Sequence, residues 1–299
     1  MAPFSLCHSN IAAFQYLINA VHLVDMACSM VADDITGGMA VPINFDDPKN
    51  RFSYAGREAD VSWMNEMSRI LLPEGIRVAD VGCGGGIYSR AWLRLGASHV
   101  IGVDSSPVMV DAAKQQCSSF ANLDFRVGDA SSTGLADESI DVVFERALIH
   151  HIPDITSNLR EAMRILVPGG KLIIQDRTPE DVRLAGSQEH IRGYVFECYP
   201  RLLQIEDSRR RTRDTVLHEM EDGGFRDVRS CSLWETRTTY PSVGELIAEF
   251  RQRRGRSILH ELADHEIEQL ISFLVERIKQ EGPIVEKDRW TIWYGTKCI

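Results

Sequence analysis

The stretch Val78-Ala79-Asp80-Val81-Gly82-Cys83-Gly84-Gly85-Gly86 constrains this chain more than any other. Ile76, Val78 and Val81 are apolar and β-prone, and Pro73-Glu74-Gly75 before them signals a turn, so the run reads as a short buried strand. Tyr88, Ala91, Trp92 and Leu95 then recur at helical spacing, and Gly96 ends the run. Strand, glycine turn and helix in that order bring bare backbone to a helix N-terminus, where free N–H groups favour a negative ligand group. The glycine spacing narrows the ligand. A nicotinamide-binding turn carries G-x-G-x-x-G. Counted from Gly82 the sixth residue is Ile87, and from Gly84 it is Ser89, so neither frame fits. The chain has D-x-G-x-G-x-G instead, with Asp80, Gly82, Gly84 and Gly86.

Further segments follow in order. His99-Val100-Ile101-Gly102-Val103-Asp104 reads as a second strand ending in an acid, 22 residues after Gly82, where a carboxylate can accept from a ribose diol. Leu123-Asp124-Phe125-Arg126-Val127 is a third strand, followed by Gly128-Asp129-Ala130. Ile140 to Phe144 is a fourth. Pro168-Gly169-Gly170 precedes a fifth, Lys171 to Asp176. From about Ile76 to Asp176 these motifs resemble, without a gap, those of the class I S-adenosylmethionine-dependent methyltransferases. The resemblance implies an α/β, Rossmann-like, doubly wound fold with a seven-stranded sheet whose last strand is antiparallel, and S-adenosylmethionine as cofactor. It implies that Asp80, Gly82, Cys83, Gly84 and Gly86 shape the turn against the cofactor. Asp104 and Ser105 would lie at the ribose, Asp129 and Ala130 at the adenine, and Glu145 and Arg146 beside them.

The loop after the fourth strand reads Glu145-Arg146-Ala147-Leu148-Ile149-His150-His151-Ile152-Pro153-Asp154. Ligands bind at this end of open α/β sheets. The resemblance makes the histidine pair family-typical. His150 is the candidate general base, because imidazole takes up a proton near neutral pH, and His151 is a candidate acceptor contact. Packing or capping of the next helix is the alternative for either. Tyr54 and Tyr194 are further candidate acceptor contacts. Arg209, Arg210, Arg211 and Arg213 read either as a clamp for an anionic group or as a solvated face balanced by Glu206, Asp207 and Asp214.

The chain has 299 residues, a net charge of −10 and 44% hydrophobic residues, which suits a soluble globular protein and argues against a nucleic-acid binder. Its seven cysteines are dispersed without a C-x-x-C, which points to reduced thiols, a cytoplasmic setting and no metal site. Residues 1–40 form an N-terminal extension, either a docked helix or a poorly ordered tail. It has no Lys or Arg, so it lacks the basic region of a secretory signal, and polar residues interrupt its apolar run too often for a membrane span. Residues 41–299 form the methyltransferase-like domain. Insertions at about 177–221 and 242–280 are expected to build a lid. Phe225 to Tyr240 reads as a sixth strand and Trp290 to Thr296 as the last.

The resemblance leaves the chemistry to the cofactor, so no covalent protein nucleophile is required. The site after the fourth strand, Phe144-Glu145-Arg146-Ala147, lacks the proline-rich motif of nucleobase amino-methylating enzymes. No Pro-Cys occurs, as RNA cytosine C5 enzymes would need. What remains resembles small-molecule methyltransferases, including the quinone-biosynthesis group. The expected partner is a small-molecule methyl acceptor, with no nucleic acid and no membrane. An RNA or protein methyltransferase of the same fold, or a scaffold that binds the cofactor without activity, are the alternatives. The acceptor atom and the oligomeric state are not legible in the sequence.

Overall fold

The computed structural model describes residue 47, residues 57–279 and residues 282–298. The expected extension 1–40 and Tyr54 lie outside the described residues. The elements are α1 (Val61–Ile70), β1 (Arg77–Val81), α2 (Ile87–Arg94), β2 (His99–Asp104), α3 (Pro107–Gln116), β3 (Leu123–Val127) and β4 (Ile140–Arg146). After them come α4 (Thr156–Ile165), β5 (Leu166–Asp176), α5 (Pro179–Val182), α6 (Ile191–Cys198), α7 (Pro200–Ser208) and α8 (Arg213–Asp222). The chain then runs through β6 (Phe225–Tyr240), α9 (Val243–Arg251), α10 (Asp264–Arg277) and β7 (Ile284–Lys297).

The strands form one seven-stranded sheet in the order β3-β2-β1-β4-β5-β7-β6. The first five are parallel, and β7 is antiparallel to both its neighbours. Side chains alternate across a strand, so β1 feeds both layers. Ala79 and Val81 join a core with Leu159, Ile165 and Trp293 on one face. Val78 joins Trp63, Trp92 and Phe144 on the other. The rings of Trp63, Trp92 and Phe144 meet edge to face at 5.3–5.6 Å. Helix α1 contributes Trp63 and Met67 to this layer, and its first residue, Val61, points out at 66% exposure.

Two features place the site. First, β7 begins at Ile284, six residues before the strand expected from sequence. Its pairing with β5 covers only Thr291 to Thr296, while its pairing with β6 continues out to Tyr240 and Ile284. The hairpin therefore projects past the end of β5. Second, the two insertions share a core. Ile191, Phe196 and Leu202 of the first pack with Leu246, Phe250 and Leu270 of the second, and with Tyr240 and Ile284 of the hairpin. The helical layer is thus one body with its own apolar interior. On α10, Val275 is 48% exposed, while Ile271 and Leu274 are buried in this core.

Candidate active site

A cavity of about 770 Å³ opens at the carboxyl ends of the parallel strands, between the sheet and the helical layer. The turn after β1 forms its floor. Gly82, Gly84 and Gly86 have positive φ, which glycine adopts without the steric cost other residues meet. They are not equivalent. A Cβ at Gly84 would meet only Met109 Cε, at 3.6 Å, whereas one at Gly86 would lie 2.8 Å from the Phe125 ring. Gly84 thus leaves room in the cavity and Gly86 leaves room for packing. Gly86 does not line the cavity.

Asp104 ends β2 directly above this turn. Its Oδ2 accepts from the Gly84 N–H at 2.8 Å, and its Oδ1 accepts from the Ser106 N–H at 2.9 Å. The turn and the carboxylate position each other. Ser106 caps α3, and Ser105 lines the cavity beside it. Asp129 lines the cavity after β3, with Oδ1 accepting from the Ser131 backbone and hydroxyl at 2.8 and 2.6 Å. These bonds hold its carboxyl below the usual range. Ala130 and Cys83 also line the wall.

Asp80, two residues before the turn, is buried and accepts from the Ser89 hydroxyl. Burial raises its carboxyl to about 7, and nearby Asp104 adds to the effect. Glu145 is buried too, pushed up to about 7 by its burial. It does not line the cavity, because its Oε1 takes Asn158 at 2.8 Å behind the wall. Arg146 does line it, with Nη2 3.0 Å from Glu235 Oε2 and its guanidinium over the Tyr88 and Trp290 rings.

His150 sits on a single 3-10 turn after β4 and faces the cavity. Its Nδ1 is 2.9 Å from Asp176 Oδ2, at the carboxyl end of β5. Desolvation lowers the imidazole below its ordinary value, although Asp176 opposes this. The carboxylate therefore fixes the neutral tautomer with the proton on Nδ1 and the lone pair on Nε2. His151 lines the cavity with its ring 4.0 Å from that of His150.

Other expectations land elsewhere. Tyr194 is 8% exposed inside the helical core, with Gly186 against its ring, and it does not line the cavity. The arginine cluster is neither a solvated face nor a simple clamp. Arg210 faces the cavity, but its guanidinium is taken by Asp176 and Glu206. Arg211 donates to the carbonyls of Ile149, Ile152 and Pro153, which ties down the histidine turn. Arg213 bonds Ser230 and Ser232.

Sequence reasoning missed Asp176, Arg177, Arg192, Asp288 and Trp290. Asp176 had a signal, since it ends the fifth strand on the ligand side. Asp288 and Trp290 carried the two-residue alternation of a strand, but Glu286-Lys287-Asp288-Arg289 reads as exposed charge.

Comparison with known proteins gives the same picture. Residues 79–174 match the family model described as a methyltransferase domain. Over that stretch the chain is similar to methyltransferase domains. A ubiquinone biosynthesis O-methyltransferase of Cereibacter sphaeroides is 33% identical over 138 residues, 45% of this chain and 56% of that protein. One from Xanthomonas axonopodis pv. citri is 40% identical over 125 residues, 40% of this chain and 51% of that protein. The chain thus spans about half the length of these relatives. A crystal structure of a methyltransferase from an antibiotic biosynthesis pathway of Anabaena variabilis superposes with a TM-score of 0.59 at 21% identity, covering 79% of this chain and 98% of that one. At that identity the likeness supports the fold of the methyltransferase domain alone. Among the described residues no helix is long and apolar enough to cross a membrane.

Proposed function

We propose that the chain transfers a methyl group from S-adenosylmethionine to a small-molecule acceptor. One observation carries the reading: the Gly84 N–H and the Asp104 carboxylate hold each other at the floor of a cavity that extends on past His150. The residues present fit the cofactor. A Cβ at Gly84 would enter the cavity, and the Asp104 carboxylate, fixed by two backbone N–H groups beside that turn, is the type of group that accepts from a diol. Asp129 would accept from the adenine amine, with Ala130 against the ring. When bound, the cofactor supplies a methyl group already activated by its sulfonium centre.

The protein then has three tasks. Asp104 and Asp129 orient the cofactor. The helical layer limits water. His150 Nε2 accepts the acceptor's proton, with Asp176 holding the ring in the correct tautomer. The names of the two O-methyltransferase relatives support an ionisable oxygen as the methylated atom. Roofing of the site by one packed helical body supports a small acceptor over RNA, DNA or a folded protein.

Calorimetry with S-adenosylmethionine and S-adenosylhomocysteine tests the cofactor, with binding expected at micromolar levels, about −8 kcal/mol. Metabolite extracts incubated with methyl-labelled cofactor test the transfer. Absence of cofactor binding, or label found only in macromolecules, would overturn the reading.

A further inference from the structure

Beyond the His150–Asp176 pair the cavity ends in a wall of buried charge. Arg177 follows β5, Arg192 lies on α6, and Asp288 and Trp290 come from the projecting part of β7. Arg177 Nη2 is 2.6 Å from Asp288 Oδ2, and Arg192 Nε is 3.3 Å from Asp288 Oδ1. One carboxylate thus serves two guanidiniums. The other acids nearby are committed: Glu206 to Arg209 and Arg210, and Glu235 to Arg146, Tyr88 and Gln175.

The donors are not all used. The Nε atoms of Arg177 and Arg146 are buried and make no hydrogen bond among the described residues. Both guanidiniums lie over the Trp290 indole, at 3.7 and 4.0 Å from its centroid. A guanidinium stays charged in a protein, and buried charge costs free energy until its donors are met. Burial, with Arg192 beside it, pushes Arg177 down to about 9, so it remains a cation at neutral pH. The wall therefore lines this part of the cavity with cationic side chains.

We propose that this wall is the anchoring subsite of the methyl acceptor, and that it takes a carboxylate or phosphate group between Arg177 and Arg192. The proposal rests on the methyl-transfer reading. It adds that the acceptor is an anion whose charged end lies beyond His150, leaving its nucleophilic atom toward the cofactor. Two oxygens on one acid match the planar fork of arginine, which a neutral polar group cannot do.

The test titrates inorganic phosphate and benzoate into the full chain at fixed ionic strength, with and without saturating S-adenosylhomocysteine, and uses benzamide as the neutral control. At least one anion should bind, benzamide should not, and Arg177→Gln or Arg192→Gln should each weaken binding about tenfold. The S-adenosylhomocysteine affinity of these variants should stay within about twofold. Should Arg177→Gln fail to fold, Arg192→Gln and Arg177→Lys carry the test. Binding of neither anion, or binding that neither variant changes, would overturn the subsite. Labelled acceptor recovered from extracts should be retained on an anion exchanger, and label confined to the neutral fraction would overturn it too. Failure of the methyl-transfer reading shows separately, as anion binding that persists without any cofactor binding.

Discussion

His150 Nδ1 lies 2.9 Å from Asp176 Oδ2, and the other oxygen of that carboxylate accepts from Arg210 at 2.6 Å and from the Arg177 N–H at 2.8 Å. Burial alone would raise the Asp176 carboxyl, but His150 and Arg210 beside it hold it well below the usual range. Asp176 is therefore a fixed anion on which the imidazole is hung. His150→Ala should slow turnover about a hundredfold, with cofactor affinity unchanged. Because burial lowers the imidazole, the acid limb of the rate profile should fall below the ordinary histidine value of about 6.5. Asp176→Asn removes a neighbour that raises His150, so it should move that limb lower still. Equal turnover in His150→Ala would return the dyad to a structural role.

A second expectation concerns Asp104. Two backbone bonds keep its carboxylate in place. Asp104→Ala should weaken S-adenosylmethionine binding by about 1–3 kcal/mol, the value of a lost hydrogen bond to a charged acceptor. Asp104→Asn should lose less, since the amide oxygen can still take one N–H. Calorimetry giving the same affinity for all three proteins would remove Asp104 from the site.

The part of this cavity that the sequence marks lies where chemistry and local spacing coincide. Gly82, Gly84 and Asp104 are tied together by a strand end and a turn, and both leave local marks. Arg177, Arg192 and Asp288 come from three segments, and nothing local says they meet. Asp288 sits in an acid–base alternation that looks like an exposed strand, yet its partners make it 3% exposed. Tyr194 shows the opposite case. An aromatic near a presumed substrate segment looked available, but Val195, Phe196 and the second insertion closed over it. The fold's parallel half was legible because β1, β2 and β4 are short, mostly apolar runs. The extra length of β7 was not, because its first residues are charged and become strand only by pairing with β6.

The glycines separate by role, and substitution should show it. Gly86→Ala meets Phe125 at 2.8 Å and Cys117 Sγ at 3.0 Å, with φ at +77°. It should destabilise the fold by about 1–3 kcal/mol, read as a lower Tm. Gly84→Ala meets only Met109 at 3.6 Å, with φ at +50°. Its stability loss should be smaller, about 1–2 kcal/mol from backbone conformation, while its added methyl should weaken cofactor binding more than Gly86→Ala does. The reverse order in either measurement would contradict the assignment of Gly84 to the cavity and Gly86 to packing.

Asp80 offers a prediction in stability alone. Burial lifts its folded carboxyl to about 7, above the ordinary value near 3.9 that applies to the unfolded chain. The folded state therefore holds this proton more tightly than the unfolded state does. Its favourable contribution is complete below about pH 4 and is lost as pH rises through 7, where a buried carboxylate must ionise. Asp80→Asn keeps the size of the side chain and an acceptor for the Ser89 hydroxyl, and removes only the charge. In the absence of cofactor, this variant should melt several degrees above the parent at pH 8 and close to it at pH 4.5. The gain should come with weaker cofactor binding, since Asp80 lines the cavity beside the turn. A variant less stable than the parent at pH 8 would mean that the Asp80 carboxylate is stabilised in the fold by something other than Ser89, and that the raised carboxyl is wrong.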